Sequence, residues 1–161
     1  MTPLFKKMNF KEHEAIFAIQ APESFSAELK EMGKVAAIKT SLKGAKAIPF
    51  FIAFVTKQKK VDDLAEQIGK LVKADEVIWF AYPKGTSKKY TCEFNRDNGW
   101  KTLGKLGFEG VRMVAIDEDW SALRFRRAER IKTMTRSFAM SDKGKEKVKK
   151  TAKKTARKKL L

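Results

Sequence analysis

The fifty residues from Val77 to Arg126, VIWFAYPKGTSKKYTCEFNRDNGWKTLGKLGFEGVRMVAIDEDWSALRFR, constrain this chain more than any other part of it. They begin with an apolar run stopped at Pro83 and continue through a basic loop. Next come Trp100, Leu103 and Leu106 at helical spacing before Gly107, then two β-type runs separated by Glu118 and Asp119. An apolar run without alternation needs cover on both faces, the condition of a strand inside a parallel sheet. The two last runs are joined too tightly for a crossover, so they are predicted to form an antiparallel pair.

The upstream half repeats the strand–helix alternation. EAIFAIQAP is short, apolar and stopped by Pro22, as a buried strand should be. SFSAELKEMG has Ser24 as a cap, Phe25, Leu29 and Met32 on one face, and Gly33 as a stop. KVAAIKT and AIPFFIAFVT are predicted as further strands, with Pro49 near the start of the second because it cannot donate to a ladder. VDDLAEQIGKLVK sets Val61, Leu64, Ala65, Ile68, Leu71 and Val72 on one helical stripe, with Asp62 and Asp63 in the expected first turn. Asp97 is the expected cap of the helix that buries Trp100. The pattern predicts an α/β fold of three layers. A mainly parallel sheet has helices on both faces and an antiparallel edge strand, with WSALRFRRA as that half-exposed edge.

Charge divides the chain. The formal net charge is +17, and residues 141–161 hold +8 of it, leaving +9 on the other 140 residues. We therefore expect a folded domain over 1–130 and a basic Lys-rich tail over 131–161, whose composition cannot offset its ordering entropy alone. A surplus of this size favours polyanionic partners. With 43% hydrophobic residues and 12 Phe the domain can bury a substantial core. The single Cys92 excludes an internal disulfide, and no spacing suits a metal site. The N-terminus lacks an apolar signal region and no run is long enough to span a bilayer, so the expected location is cytoplasmic.

The order apolar strand, YPK, charged loop, RDxGW, helix, strand and IDxxWSALRFR resembles a group of small uncharacterised bacterial proteins of Rossmann-like shape. The residues that carry it are Trp79, Tyr82, Pro83, Lys84, Arg96, Asp97, Gly99, Trp100, Ile116, Asp117, Trp120, Ser121, Ala122, Leu123, Arg124, Phe125 and Arg126. The resemblance implies a Rossmann-like α/β fold and a cytoplasmic location, and supplies no catalytic residue. A looser one is to the C-terminal half of class I methyltransferases, whose sheet also closes with an antiparallel last strand. Those enzymes hold S-adenosylmethionine on a glycine-rich turn after the first strand, where only glycine lets backbone approach the ligand. Here that turn reads IQAPESF, and KVAAIKTSLKG ends without the acid that would hold a ribose. No cofactor is expected.

Several residues are chemical candidates. Lys84, Ser87, Lys88 and Lys89 surround Gly85 in a loop that follows a strand, where α/β sheets bind ligands, although the spacing is not that of a P-loop. Asp117, Glu118 and Asp119 form either a carboxylate cluster or, more commonly, a turn bonded to its own backbone. Arg96, Asp117, Trp120 and Arg124 are candidates for a ligand crevice. If Leu123 and Phe125 enter the core, alternation puts Trp120 outside with Arg124 and Arg126. Cys92 has lysines nearby but no partner base, and the lone His13 sits among charged neighbours as a solvated residue would.

The expected function is non-enzymatic binding of a polyanion, most plausibly nucleic acid, with low sequence specificity. It would use Lys149, Lys150, Lys153, Lys154, Arg157 and Lys158 of the tail, helped by Lys84, Ser87, Lys88 and Lys89. The alternative is a degenerate methyltransferase-like enzyme binding a small molecule or nucleotide in the crevice at the strand ends. A partner-binding protein using an unpaired edge strand is a third class.

Overall fold

The computed structural model describes residues 1–131, and the expected tail lies outside them apart from its first residue. The chain forms β1 (Ala15–Ile19), β2 (Ala37–Lys39), β3 (Phe50–Phe54), β4 (Val77–Pro83), β5 (Phe108–Ala115) and β6 (Trp120–Arg127). The helices are α1 (Pro3–Lys7), α2 (Ser26–Met32), α3 (Gln58–Leu71) and α4 (Lys101–Lys105). The six strands make one sheet in the order β2-β1-β3-β4-β6-β5. The β2–β1, β1–β3 and β3–β4 pairs are parallel, and β6 runs antiparallel to both of its neighbours.

Side-chain alternation splits the core into two layers. On one face Phe17, Phe51, Phe80 and Phe125 meet Val61, Leu64 and Ile68 of α3 and Leu103 of α4. On the other, Ile16, Phe50, Ile52, Trp79 and Trp120 meet Phe5, Phe25 and Met32 from α1 and the α2 segment. Every residue of β3 and β4 is buried, which explains their unbroken apolar runs. Trp79 is the largest fully buried side chain, and its indole N–H donates to the Met8 carbonyl at 2.9 Å. That bond joins the N-terminal helix to the sheet centre across a separation of 71 residues.

The three-layer α/β architecture agrees with the sequence, and the antiparallel pair lies at the expected edge. Within the pair the order differs: β6 is the inner strand and β5 the outer one. Both faces of β6 are therefore covered: Trp120 lies in the α1–α2 layer, only 3% exposed, and Arg124 on the same face is 9% exposed, so neither stands outside with Arg126 as expected. Pattern alone misplaced Trp120 because Leu123 and Phe125 enter one core and Trp120 and Ala122 the other.

Cap assignments also shift. α3 begins at Gln58, so Asp62 lies in its second turn, where its carboxylate accepts from Gln58 Nε2 (3.0 Å) and Thr102 Oγ1 (2.8 Å) and links α3 to α4. Trp100, not Asp97, precedes α4, and Pro22, not Ser24, precedes the 3-10 turn leading into α2. The first thirteen residues had no predicted element. They form α1, capped by the Thr2 side chain, and deliver Phe5, Met8 and Phe10 to the core.

Candidate functional site

The strand order reverses direction between β1 and β3, which marks their carboxyl ends as the ligand-binding position of an open α/β sheet. Four segments meet at this end of the sheet: the turn after β1, the segment after β3, the long loop after β4, and the β5–β6 turn. The β4 loop is the most firmly held. Lys84 N donates to Asp119 O at 2.8 Å, and Ser87 Oγ donates to Asp119 Oδ1 at 2.8 Å. Ser87 Oγ in turn accepts from the backbone of Lys89 and Tyr90. Asp117 Oδ1 accepts from Asp119 N and Trp120 N, both at 2.8 Å, which fixes the hairpin turn to which the loop is tied.

Farther along, the same loop crosses the end of β3. Glu93 N donates to Thr56 O at 3.0 Å, while Gln58 donates to Glu93 Oε2 from its backbone and to Gly99 O from its side chain. The N-terminus of α3 is thus capped by the chain's own carboxylate. Gly99 is required here. Its φ is +88°, and a Cβ at this position would lie 2.7 Å from the Phe94 side chain.

The sequence candidates separate into three groups. Lys84, Ser87, Asp117 and Trp120 come together at the carboxyl end, joined by the bonds above. Of the two readings of Asp117, Glu118 and Asp119, the bonds match the turn: Asp117 Oδ1 accepts from the backbone, and Asp119 Oδ1 accepts from Ser87. Lys84, Lys88 and Lys89 make no ion pair among the described residues, where the ion pairs are Lys34–Glu31, Lys57–Glu93, Arg96–Asp97 and Arg126–Asp75. Lys88 and Lys89 are exposed, and the Lys89 ammonium lies 5.7 Å from the Tyr90 ring centre. Arg96 is exposed beside Asp97, 3.6 Å away, and lends its carbonyl to the Trp100 indole. Arg124 sits elsewhere: four residues along β6 from Trp120, about 13 Å at the usual rise, it is opposite Trp79 near the amino end of β4. Lys149, Lys150, Lys153, Lys154, Arg157 and Lys158 lie outside the described residues.

Sequence reasoning missed an aromatic row on the α1–α2 face of this end. Phe25 packs on Phe54 (4.9 Å between centroids), Phe54 on Trp120 (5.1 Å) and Trp120 on Tyr90 (4.9 Å). The signal was present only as isolated aromatics, Phe54 and Trp120 at strand ends, Phe25 in the turn after β1 and Tyr90 in the β4 loop. The Trp120 indole N–H is buried and has no acceptor among the described residues. Burial raises the Cys92 thiol above its ordinary pKa, so it lacks the thiolate character of a reactive cysteine. Among the described residues no group of acids, Cys and His is arranged to hold a metal, and no helix is long and apolar enough to cross a membrane.

The residues do not fit S-adenosylmethionine held in the usual way. The β1 turn carries side chains at each of Gln20, Ala21, Pro22 and Glu23, Gln20 is already left-handed (φ +55°), and Pro22 has no N–H to give. Phe25 and Phe54 pack together beside it, and β2 ends at Lys39 where a ribose would need an acid.

No family model matches the chain, and no curated protein matches it in sequence. Solved structures do. A protein assigned to the type 11 methyltransferases from Sulfolobus solfataricus superposes with a TM-score of 0.50 at 8% identity, covering 78% of this chain and 89% of that one. A SAM-dependent methyltransferase from Aquifex aeolicus gives 0.51 at 10% identity, covering 76% and 87%. The likeness is one of fold. This chain has a Rossmann-like α/β sheet of the kind seen in methyltransferases.

Proposed function

We propose that this chain binds the phosphate backbone of nucleic acid with low sequence specificity, on a methyltransferase-like scaffold whose usual cofactor turn is filled. One observation carries the reading: Lys84, Lys88 and Lys89 lie on a loop pinned to the hairpin, yet none is paired with an acid. Unpaired ammonium groups carried on a held loop attract phosphate without reading bases. The cations of residues 141–161 extend the same field in the sequence.

The test is fluorescence anisotropy with a labelled single-stranded RNA at two salt concentrations. Replacing Lys84, Lys88 and Lys89 with Gln should lower the slope of log affinity against log salt by about 2, at ~0.7 per lost contact on a single strand. Removing residues 141–161 should weaken binding further. An unchanged slope in the triple variant, or binding indifferent to the tail, would remove this function.

The structural neighbours favour a second reading: a small-molecule or nucleotide-binding enzyme using the same carboxyl end, with the unpartnered Trp120 N–H as a ligand contact. Stabilisation of the tail-deleted protein by one member of a nucleotide and adenosyl-cofactor panel would support it over the first.

A further inference from the structure

The opposite end of the sheet carries an arrangement that neither reading uses. Arg124 is 9% exposed, and its Nε is fully buried with no hydrogen-bond partner among the described residues. Its direct partner across the ladder is Arg112, because a bulge between Gly110 and Arg112 returns the register so that both side chains share the α1 face. Like charges directly opposite on one face destabilise a sheet, and Arg126 adds a third cation two residues along the same face. Asp75 favours the charged form of Arg124, against burial and the charges of Arg126 and Arg112, but only from a distance. Asp75 is held by Arg126 through both oxygens (Nε–Oδ1 2.9 Å, Nη2–Oδ2 2.6 Å). Glu109 is buried opposite Arg126 and has an interaction of its own. Arg112 gives one bond, to Asn9 Oδ1 at 3.1 Å just after α1, which leaves most of its donors free.

We propose that Arg112 and Arg124, flanked by Arg126, bind a phosphate group at the amino-terminal end of the sheet. A buried guanidinium whose Nε has no acceptor carries a desolvation cost that Asp75 offsets only in part, and a dianion with several oxygens can satisfy two forks at once where a carboxylate fills one. The site is separate from the Lys84 loop, so failure of either proposal leaves the other standing.

The chain has a single histidine, His13, which makes a built-in reporter. Its ring packs against Phe10 and Phe50, its Nδ1 accepts from Lys11 N, and its pKa is held below the ordinary value by burial and by the charges of Lys11 and Arg124. The experiment uses the full chain and inorganic phosphate, with chloride and acetate at matched ionic strength, read by thermal shift and by NMR titration of His13. Phosphate should raise the melting temperature above both controls and move the His13 pKa upward, because the bound anion offsets Arg124.

Arg112→Gln, at an exposed position, should weaken phosphate binding about tenfold or more. Arg124→Met should abolish it while leaving the free protein at least as stable. Lys60→Gln on α3, the opposite face, should leave both readouts unchanged. Adenosine 5′-monophosphate acting as well as the free ion would identify the ligand as a phosphomonoester, and a weaker response would restrict it to the free ion. An equal response to acetate, or phosphate shifts that persist in Arg112→Gln and Arg124→Met, would overturn the proposal.

Discussion

Arg127 ends β6, and its guanidinium closes the open ends of two helices. Nη1 donates to Leu106 O at 2.9 Å after α4, and Nη2 donates to Gly69 O (2.9 Å) and Val72 O (3.0 Å) at the end of α3. The plane lies 4.6 Å from the Phe108 ring centre. A helix C-terminus leaves carbonyls without partners and carries partial negative charge, so one cation serves both. Arg127→Met keeps most of the apolar stem and removes the three bonds. A bond to a charged donor contributes about 1.5–3 kcal/mol when buried, and this half-buried site lets water replace part of it. About 1 kcal/mol per bond gives a loss near 3 kcal/mol, and at roughly 3 °C per kcal/mol for a domain of this size the melting temperature should fall by about 9 °C. Arg127→Lys should recover little, since a point charge cannot span acceptors on two helices. Urea denaturation of the three proteins measures this directly. A loss under about 1 kcal/mol in Arg127→Met, or full recovery in Arg127→Lys, would refute the reasoning.

Gly99→Ala should cost about 2–4 kcal/mol, combining the left-handed backbone with the Phe94 contact, and should speed hydrogen exchange at the Gln58 amide that the loop protects. Trp79→Phe should cost about 1–2 kcal/mol through the Met8 carbonyl left unpaired, with limited proteolysis cutting first within residues 1–13. The Arg126 bond holds Asp75 below its ordinary pKa of 3.8. A depressed acid adds stability above its unfolded pKa and loses it as pH falls through the folded one. Wild type should thus exceed Asp75→Asn in urea denaturation at pH 7, with the difference closing below about pH 4.

The sequence stated the layers well because β3, β4 and α3 carry strong, unmixed patterns: continuous apolar runs for strands covered on both sides, and a single stripe for the helix. It failed where two cores share one strand. In β6, Trp120 and Ala122 serve one layer and Leu123 and Phe125 the other, and a period-2 pattern cannot distinguish a second core from solvent. The N-terminal helix was illegible for a different reason. Five residues with one phenylalanine carry no periodicity, and α1 is held by its Thr2 cap together with Phe5 and the Met8 carbonyl, which dock onto β3 and β4. At the carboxyl end, the loop after Pro83 was legible as basic. Its attachment to Asp119 depends on a hydroxyl and a carboxylate 32 residues apart, a pairing that no local pattern contains.

Of the described strands, the one made last occupies an interior slot of the sheet. During synthesis β4 therefore emerges with one ladder edge bare, and β5 emerges with nothing to pair with until Arg127 has left the ribosome. A nascent chain stalled anywhere between Pro83 and Trp120 exposes the apolar run VIWFAYP along an open edge, the kind of surface that recruits a neighbouring strand. Productive assembly calls for the β5–β6 hairpin to dock as one piece, and a stop codon or slow stretch within it would turn a folding intermediate into a nucleus for aggregation.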